Sequence, residues 1–564
     1  MNTLFKHKIL AGAILCSALF AVSSCDDTDV MSDAPQETLY NVMMADNDLT
    51  EFIEVINHCG AHCADSLFNQ SRVYTVWAPK NKTFNKDSLI SEIKEGGKRD
   101  QVFHRFVMGH VANNLHAANG DMDAKILLLN GKFAELDGYR EDGKLYYTFD
   151  GQTLEEVNRR TRNGFLHKLA SPAEYKYNIW EYLSVDSRVD SVASYLYAFN
   201  DTTFNEFAST PGPIVNGVQT YIDSAFITSN VMLSSWSGVG LLDTEDSTYT
   251  VYVPSNDAWN EMHALAAKHF KYGEHRKPTK VTLEERDSLH NYYSRINLLK
   301  YMTYSENEQR YVKEPGMVMP AWRGRSVYDF RPEFSKDVLE ENVIYSKELS
   351  NGTFKIVDKI PYNQFELWHD TIKIEGENTN FMKYKGAQSA ERFVVSKIDL
   401  QADSTLAGVE ISGGAYYMAG SNEGKQKAAV TLTAGIPNIL SASYNVAFIL
   451  VPNNFPKKPL SEVKPMSMEV TIKHAAQSKK LCSFEIKDYM VERVDTMFLE
   501  DEDGKPAVIT VPFCEYYDGY QDLNTSADCN FTIEMKTERD KDNSHDPSIR
   551  LDAILLIPVE DPEE

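Results

Sequence analysis

The chain has 564 residues, 42% of them hydrophobic and 11% aromatic, enough for roughly three or four domains with cores of their own at the usual ~150 residues each. Its formal charge is −25, and so acidic a surface repels phosphate backbones, which excludes nucleic acid as a partner. Seven cysteines over this length are too sparse for a disulfide scaffold.

Lys6 and Lys8 precede the apolar run ILAGAILCSALFAV, which is short for a membrane span and suits the h-region of a signal peptide. The run ends in Val-Ser-Ser-Cys, residues 22–25, and small residues before a cysteine are the pattern used in bacterial lipoprotein processing. Residues 1–24 are therefore expected to be a lipoprotein signal peptide, with Cys25 acylated as the new N-terminus. The alternative is an ordinary secretory peptide cleaved nearby. At ~0.8 kcal/mol per buried methylene, two or three acyl chains make a lasting anchor in outer-membrane lipid. The acidic start Asp26-Asp27-Thr28-Asp29 resembles the export signal of Bacteroidota-type surface lipoproteins, which implies an outer-membrane protein facing the cell exterior. Residues 25–36 form the polar, lipidated tether.

In the segment that follows, Leu49, Phe52, Ile53 and Ile56 recur at helical spacing. This helix runs into HCGAHC, residues 58–63, where His58 with His62 and Cys59 with Cys63 are each one turn apart, as zinc ligands can be. The two pairs diverge by ~100° on a helix. Cys59 and Cys63 continue the apolar stripe, so a buried thiol pair or a Cys59–Cys63 disulfide is expected in an oxidising exterior. The strand Val73–Ala78 follows, closed by Pro79, with Asn81 or Thr83 expected to cap the next helical turn. YREDGKLYYTF, with alternating aromatics around Asp-Gly, predicts a hairpin, and NGFLHKLASP (163–172) a turn, a strand and a stop.

The order then repeats. VDSVASYLYAFNDTTFNEF (189–207) reads as helical, YTVYVPSNDAW (249–259) nearly copies YTVWAPKNKTF (74–84), and NGTFKIVDKIP (351–361) closes the unit. Insertions swell the second copy; one carries the basic cluster Lys268, Lys271, Arg276, Lys277 and Lys280, read as a solvated face. From about Thr371 alternating segments such as SASYNVAFILVP and MSMEVTIKH succeed one another with turn residues between, the pattern of an all-β sandwich. Within it LEDEDGKPA (499–507) reads as a solvated hairpin turn, and the pairing among Cys482, Cys514 and Cys529 stays open. The division is thus 37–183, 184–370 and 371–564. No Gly-x-Ser-x-Gly elbow, His-Glu-x-x-His, phosphate loop or dinucleotide glycine pattern occurs, so the chain is not expected to be an enzyme.

The two copies resemble the fasciclin domain. The first matches its strand–proline signature at Thr75, Val76, Trp77, Ala78, Pro79, Asn81 and Phe84, and the second at Thr250, Val251, Tyr252, Pro254, Asn256, Ala258 and Trp259. The family's Asn-Gly signature is echoed at Asn163, Gly164, Leu166 and His167, and at Asn351, Gly352, Val357 and Asp358, with Lys355 where His is usual. In the family's Tyr-His region the first copy has His104 and Arg105, and the second has neither residue. The resemblance implies a wedge-shaped β-sandwich with helices along one edge, used outside cells to bind proteins or polysaccharides.

The third domain resembles the galactose-binding jelly roll of carbohydrate-binding modules. That likeness implies a structural calcium held by Glu375, Glu377 and Asp552, hard oxygen donors of the kind calcium takes. Every tryptophan lies at or before Trp368, so a sugar platform there would use Tyr416, Tyr417, Tyr516, Tyr517 or Tyr520; the bland reading makes them ordinary strand residues. The fold class expected is α+β: two tandem fasciclin-like β-sandwich domains with edge helices, then an all-β jelly-roll sandwich. The function expected is a non-catalytic surface lipoprotein for adhesion, glycan or matrix binding, or nutrient capture beside an outer-membrane importer. The alternative is a structural accessory subunit of such an importer, binding protein in place of glycan.

Overall fold

The structure is a computed structural model that describes residues 35–560, except 61–67, 69–71, 235–237, 277–278, 281, 323–332, 387–392, 400–410, 422–428, 453–460, 462, 476–478, 517–528, 539–541 and 543. The signal segment and Cys25 lie outside the described residues. The chain is α+β and forms two compact units, residues 1–176 and 177–564.

In the first unit seven strands make one sheet: β1 (Tyr74–Pro79), β2 (Val111–Asn113), β3 (Met122–Leu127), β4 (Phe133–Glu141), β5 (Lys144–Phe149), β6 (Gln152–Thr161) and β7 (Gly164–Leu169). Their spatial order is β2-β1-β7-β6-β5-β4-β3. Ala112 of β2 also bridges Leu128, just past β3, so the sheet curls until its ends meet. Strand alternation then sorts β1 between two cores. Tyr74, Val76 and Ala78 pack with Phe52 and Ile56 of the helix Thr50–His58, while Trp77 points to the opposite face and joins Leu136 and Phe149. The expected hairpin is β4–β5, and Asp142 and Gly143 at its turn both have positive φ, 50° and 75°, as the tight primed turn requires.

Asn81 does not cap the helix that follows it. Its Oδ1 accepts from Glu51 N at 2.8 Å, in the first turn of the preceding helix Thr50–His58. Asn85 caps the next helix, Lys86–Lys94, accepting from Ser88 N at 3.0 Å. Thr83 bonds back to Lys80 O instead.

In the second unit the strand Tyr249–Pro254 lies between Thr303–Ser305, antiparallel, and Gly352–Val357, parallel. Tyr249 stands opposite Gly352 as Tyr74 stands opposite Gly164. The two sequence copies are therefore copies in register as well. The stretch expected to be helical over 189–207 is helical only over Asp190–Tyr197. Asn230 Nδ2 binds Leu196 O at the helix end and Asn200 Oδ1 beyond it. The chain then departs as a two-stranded hairpin, Asn200–Val215 and Val218–Asn230, closed by Asn216-Gly217.

The β-rich segment folds as two antiparallel sheets. One centres on Ile549–Val559 and Ser443–Leu450, the other on Phe531–Thr537 and Met466–His474. Alternate residues of both, among them Phe448, Ile554, Ile472 and Ile533, meet in the core between them. That core continues into the second copy: Tyr272 OH donates to Tyr516 O at 2.7 Å, Ser441 N to His269 O, and Cys514 N to Lys271 O.

Candidate functional site

The signature residues serve the frame in both copies. Asn163 Oδ1 accepts from Leu39 N, its Nδ2 donates to Phe68 O, and its carbonyl accepts from Tyr74 N, at 2.8, 2.8 and 3.1 Å. Asn351 repeats the set with Ile179 N, Leu242 O and Tyr249 N, at 2.8, 2.8 and 3.1 Å. One buried side-chain amide thus satisfies backbone groups of two segments, and the backbone carbonyl of the same residue ties in the strand. The following glycine is required by close approach: a Cβ on Gly164 would stand 2.0 Å from Tyr74 O, and one on Gly352 1.9 Å from Tyr249 O.

His167 and Lys355 occupy matching positions, opposite Trp77 and Tyr252. His167 stacks on Trp77 with centroids 5.6 Å apart, accepts from Asn158 N at Nδ1 and bonds His116 O through Nε2. Burial lowers its pKa to about 4, so the ring is neutral. Lys355 instead sets its ammonium over the Tyr252 ring, 5.3 Å from its centre, and pairs with Glu340.

The sandwich brings the three predicted acids to one place. Ser412 Oγ donates to Glu375 Oε1 at 2.5 Å and Ser412 N to Asp552 Oδ2 at 3.2 Å. Glu377 Oε1 lies 3.2 Å from where a Cβ on Gly413 would stand. Asp552 is 1% exposed; burial, with the Glu375 and Glu377 charges beside it, raises its pKa to about 6. Asp552 Oδ1 and Glu375 Oε2 are buried and make no hydrogen bond among the described residues. The donors are hard oxygens, as calcium takes. The cation already at the cluster is Lys373, 3.0 Å from Glu375 Oε1. No group of three or more His, Cys, Asp or Glu among the described residues is arranged to hold a metal ion.

Of the predicted sugar platform, two described tyrosines are turned away from solvent. Tyr416 is 3% exposed and Tyr516 9%, so neither offers a ring face to solvent. Tyr516 is drawn inward by packing: it lies against Phe270 and Tyr293 and accepts from Lys300 at its hydroxyl. Tyr417 is half-buried and stacks on Tyr384, centroids 4.9 Å apart. Tyr517 and Tyr520 lie outside the described residues, as does Cys63 of the expected disulfide, while Cys59 is buried at its helix end. Cys482 and Cys514 are free thiols, so the three late cysteines form no bridge among themselves. Burial pushes the Cys514 thiol up to about 12. In the acidic turn Asp501 Oδ1 accepts from Asp503 N and Lys505 N, closing a solvated hairpin.

Two cavities escaped the sequence reading. In the second unit an open cavity of about 420 Å³ is apolar and tyrosine-lined, with Tyr252, Tyr301 and Tyr362 among its walls. In the first unit a cavity of about 330 Å³ is lined by Arg105, Lys132, Lys176, Asp150 and Glu174, with Asn130 and Tyr175. Arg105, on a wide π-helical turn over Phe103–Val107, is held by Glu92 at 2.9 Å. These residues come from four separate segments, one of them that helical turn, so no local motif announced them.

No family model matches the chain, and no curated protein does. Among solved structures it is similar to a FAS1 domain pair from the insect cell adhesion molecule fasciclin I, with 13% identity, 57% of this chain and 98% of that chain covered, and a TM-score of 0.22. The xylan-binding module CBM15 is similar at 9% identity over 34% of this chain and 99% of that one, TM-score 0.18. A CBM22-1–GH10 portion of Clostridium thermocellum xylanase 10B is similar at 7% identity over 34% of this chain and 28% of that one, TM-score 0.19. Scores this low bear on neither function nor ligand.

Proposed function

We propose that this chain is a non-catalytic binding protein, anchored through acylated Cys25 at the outer face of an outer membrane, that grips glycan or matrix beside a nutrient importer. The observation that carries the reading is one frame built twice, in the same register, with an unlike cavity beside each copy. A rigid scaffold with divergent concave surfaces is how binding modules diversify. Calcium at Glu375, Glu377 and Asp552 is left out of this reading, because those acids are not arranged to hold a metal ion and Lys373 already stands beside them.

The second reading, an accessory subunit that binds a membrane protein, is favoured by the hairpin. Phe207 is 99% exposed on a bulge braced by Ser209 Oγ, which donates to Asn205 O and accepts from Ala225 N. Phe226, Ile214 and Val218 are also exposed there, an apolar display typical of protein contacts. Affinity-gel migration of the detergent-solubilised chain through immobilised glycans separates the two. Retention by a glycan supports the first reading. No retention, with an importer recovered by pull-down from outer membranes, supports the second. Cys25→Ala is expected to release the protein from membranes, and unchanged fractionation would remove the anchor from either reading.

A further inference from the structure

The hairpin of the second unit, Asn200–Val215 and Val218–Asn230, ends in an uncharged arm. From Phe207 to Ile222 there is no Asp, Glu, Lys or Arg, in a chain that is 25% charged. Acids return only at the base of the arm, as Glu206 and Asp223. Phe207 is 99% exposed, Ile214 70%, Val218 66% and Val215 49%, the last two flanking the Asn216-Gly217 turn. Side chains hold the arm in shape where its register shifts, between Asn205 and Ile214. Gln219 Nε2 donates to Gly212 O at 2.7 Å, Thr220 Oγ1 donates to Pro213 O, and at the base Tyr221 OH donates to Glu206 Oε1 at 3.0 Å. The apolar groups are thus displayed on a braced element. Pro211 and Pro213 remove backbone donors from one strand, which blunts that edge against open-ended strand addition.

We propose that the arm is a dimerisation element, and that its occupant is the same arm of a second copy, packed antiparallel about a two-fold axis. Charge singles out this partner. Each copy carries −25, so two copies repel wherever their acidic surfaces face. A two-fold contact brings identical patches together and so requires a stretch without charge, which a contact with an unlike protein does not. The strand from Phe207 to Val215 spans about 30 Å at ~3.3 Å per residue. Antiparallel packing then sets the acidic base of each copy beside the uncharged Asn216-Gly217 turn of the other. The two bases stand about 30 Å apart, against a Debye length of about 8 Å at physiological salt. Two-stranded ribbons twist strongly, so apolar groups from both faces reach one seam as the arms wind about each other. A bilayer fits less well, because the two outer edges of the hairpin carry backbone groups that hydrocarbon cannot satisfy. At roughly 150–200 Å² per full side chain, the four exposed residues offer about 500 Å² in each copy. The seam thus buries about 1,000 Å² in all, the lower bound for a specific interface. The dimer is therefore weak, with a dissociation constant in the micromolar range or above.

The inference goes beyond both functional readings and rests on neither; an importer bound to the arm is the competing occupant. The test is sedimentation equilibrium of the full-length chain in density-matched detergent, repeated as energy transfer between labelled chains in phosphatidylcholine vesicles. A concentration-dependent monomer–dimer equilibrium is expected in both. Phe207→Glu and Val218→Lys, each on an exposed residue, are expected to weaken dimerisation about ten-fold or more, because each buries a charge in the seam. Their melting temperatures are expected to match that of the unaltered chain. Mixed in equal amounts, the two variants are expected to pair with each other more tightly than either does with itself, since antiparallel arms set Phe207 of one copy near Val218 of the other. A chain that stays monomeric in detergent and in vesicles would overturn the assignment. So would a dimer indifferent to both substitutions, which would lie on another face. Loss of importer pull-down in Phe207→Glu, with the unaltered chain monomeric, would also overturn it and give the arm to the accessory reading. None of these outcomes touches retention by glycan, so the first reading stands or falls separately.

Discussion

The two copies of the strand–proline frame differ most where their backbones agree best. Asn163 and Asn351 make the same three kinds of bond, and Asn81 and Asn256 each cap the helix upstream, Asn256 Oδ1 accepting from Ser191 N at 2.8 Å. Three residues beyond the glycine, however, a neutral His167 stacked on Trp77 is replaced by a charged Lys355 over Tyr252. Backbone groups that nothing else can satisfy fix the first kind of position. The second kind faces side chains, and side chains can be exchanged in sets. The lesson is that the repeated motif marks the frame, and function is to be sought where the copies diverge.

The comparison breaks most severely at the glycines. Gly164→Ala and Gly352→Ala each push a methyl into a neighbouring carbonyl and are expected to cost more than about 4 kcal/mol, in the class of severe backbone strain. Denaturant unfolding followed by tryptophan fluorescence would check this; tolerance of either alanine would mean the register between the two signatures is not what holds the frame.

The exchange of side-chain sets comes next. His167→Lys places an ammonium against Trp77 and His116 and is expected to cost about 3 kcal/mol or more, the penalty of an uncompensated buried charge. Lys355→His removes only a partly exposed pair with Glu340, for about 1 kcal/mol or less. Equal losses would show that the two environments are interchangeable.

Protonation gives a gentler contrast. Burial lowers His110 and His167 to about 4, so the unfolded chain takes up protons first. Their contribution to the first unit is complete above pH ~6.5 and lost as the pH falls toward 4. Asp552, raised to about 6, has the opposite sign: the sandwich loses stability as the pH rises from about 4 to 6. His263, lowered to about 4 in the second copy, shares the sign of the first unit, so the contrast is to be read at the sandwich strands. Hydrogen exchange at pH 7 and pH 5 should show the first unit opening more readily at pH 5 and the strand Ile549–Val559 less readily.

Much of the frame was legible because it is local. The strand YTVWAP alternates, its proline stops it, and Asn-Gly marks a turn. The β-rich third of the chain was legible for the same reason. The hairpin after Tyr197 was not, because its aromatics continue the helical spacing of ASYLYAF and its two faces are both exposed, leaving no clean alternation. The cap from Asn81 was misplaced because it reaches back thirty residues to Glu51. The tyrosines of the sandwich could not be sorted, since burial of Tyr416 and Tyr516 depends on which sheet or neighbouring helix covers them. Lys132 reads in sequence as one more turn lysine; only the fold of the turn takes it inside.

The claim that frame and site are separate is tested most directly by retention of the full-length chain on an affinity gel of a glycan that retains it, comparing Asn81→Ala with Lys132→Met in the lining of the first unit's cavity. The cap variant is expected to lower stability by about 1 kcal/mol and to migrate with the same retention as the unaltered chain. Lys132→Met is expected to lose retention while its melting temperature stays close to that of the unaltered chain. The reverse pattern, with retention following the frame residue and indifferent to Lys132, would contradict the separation.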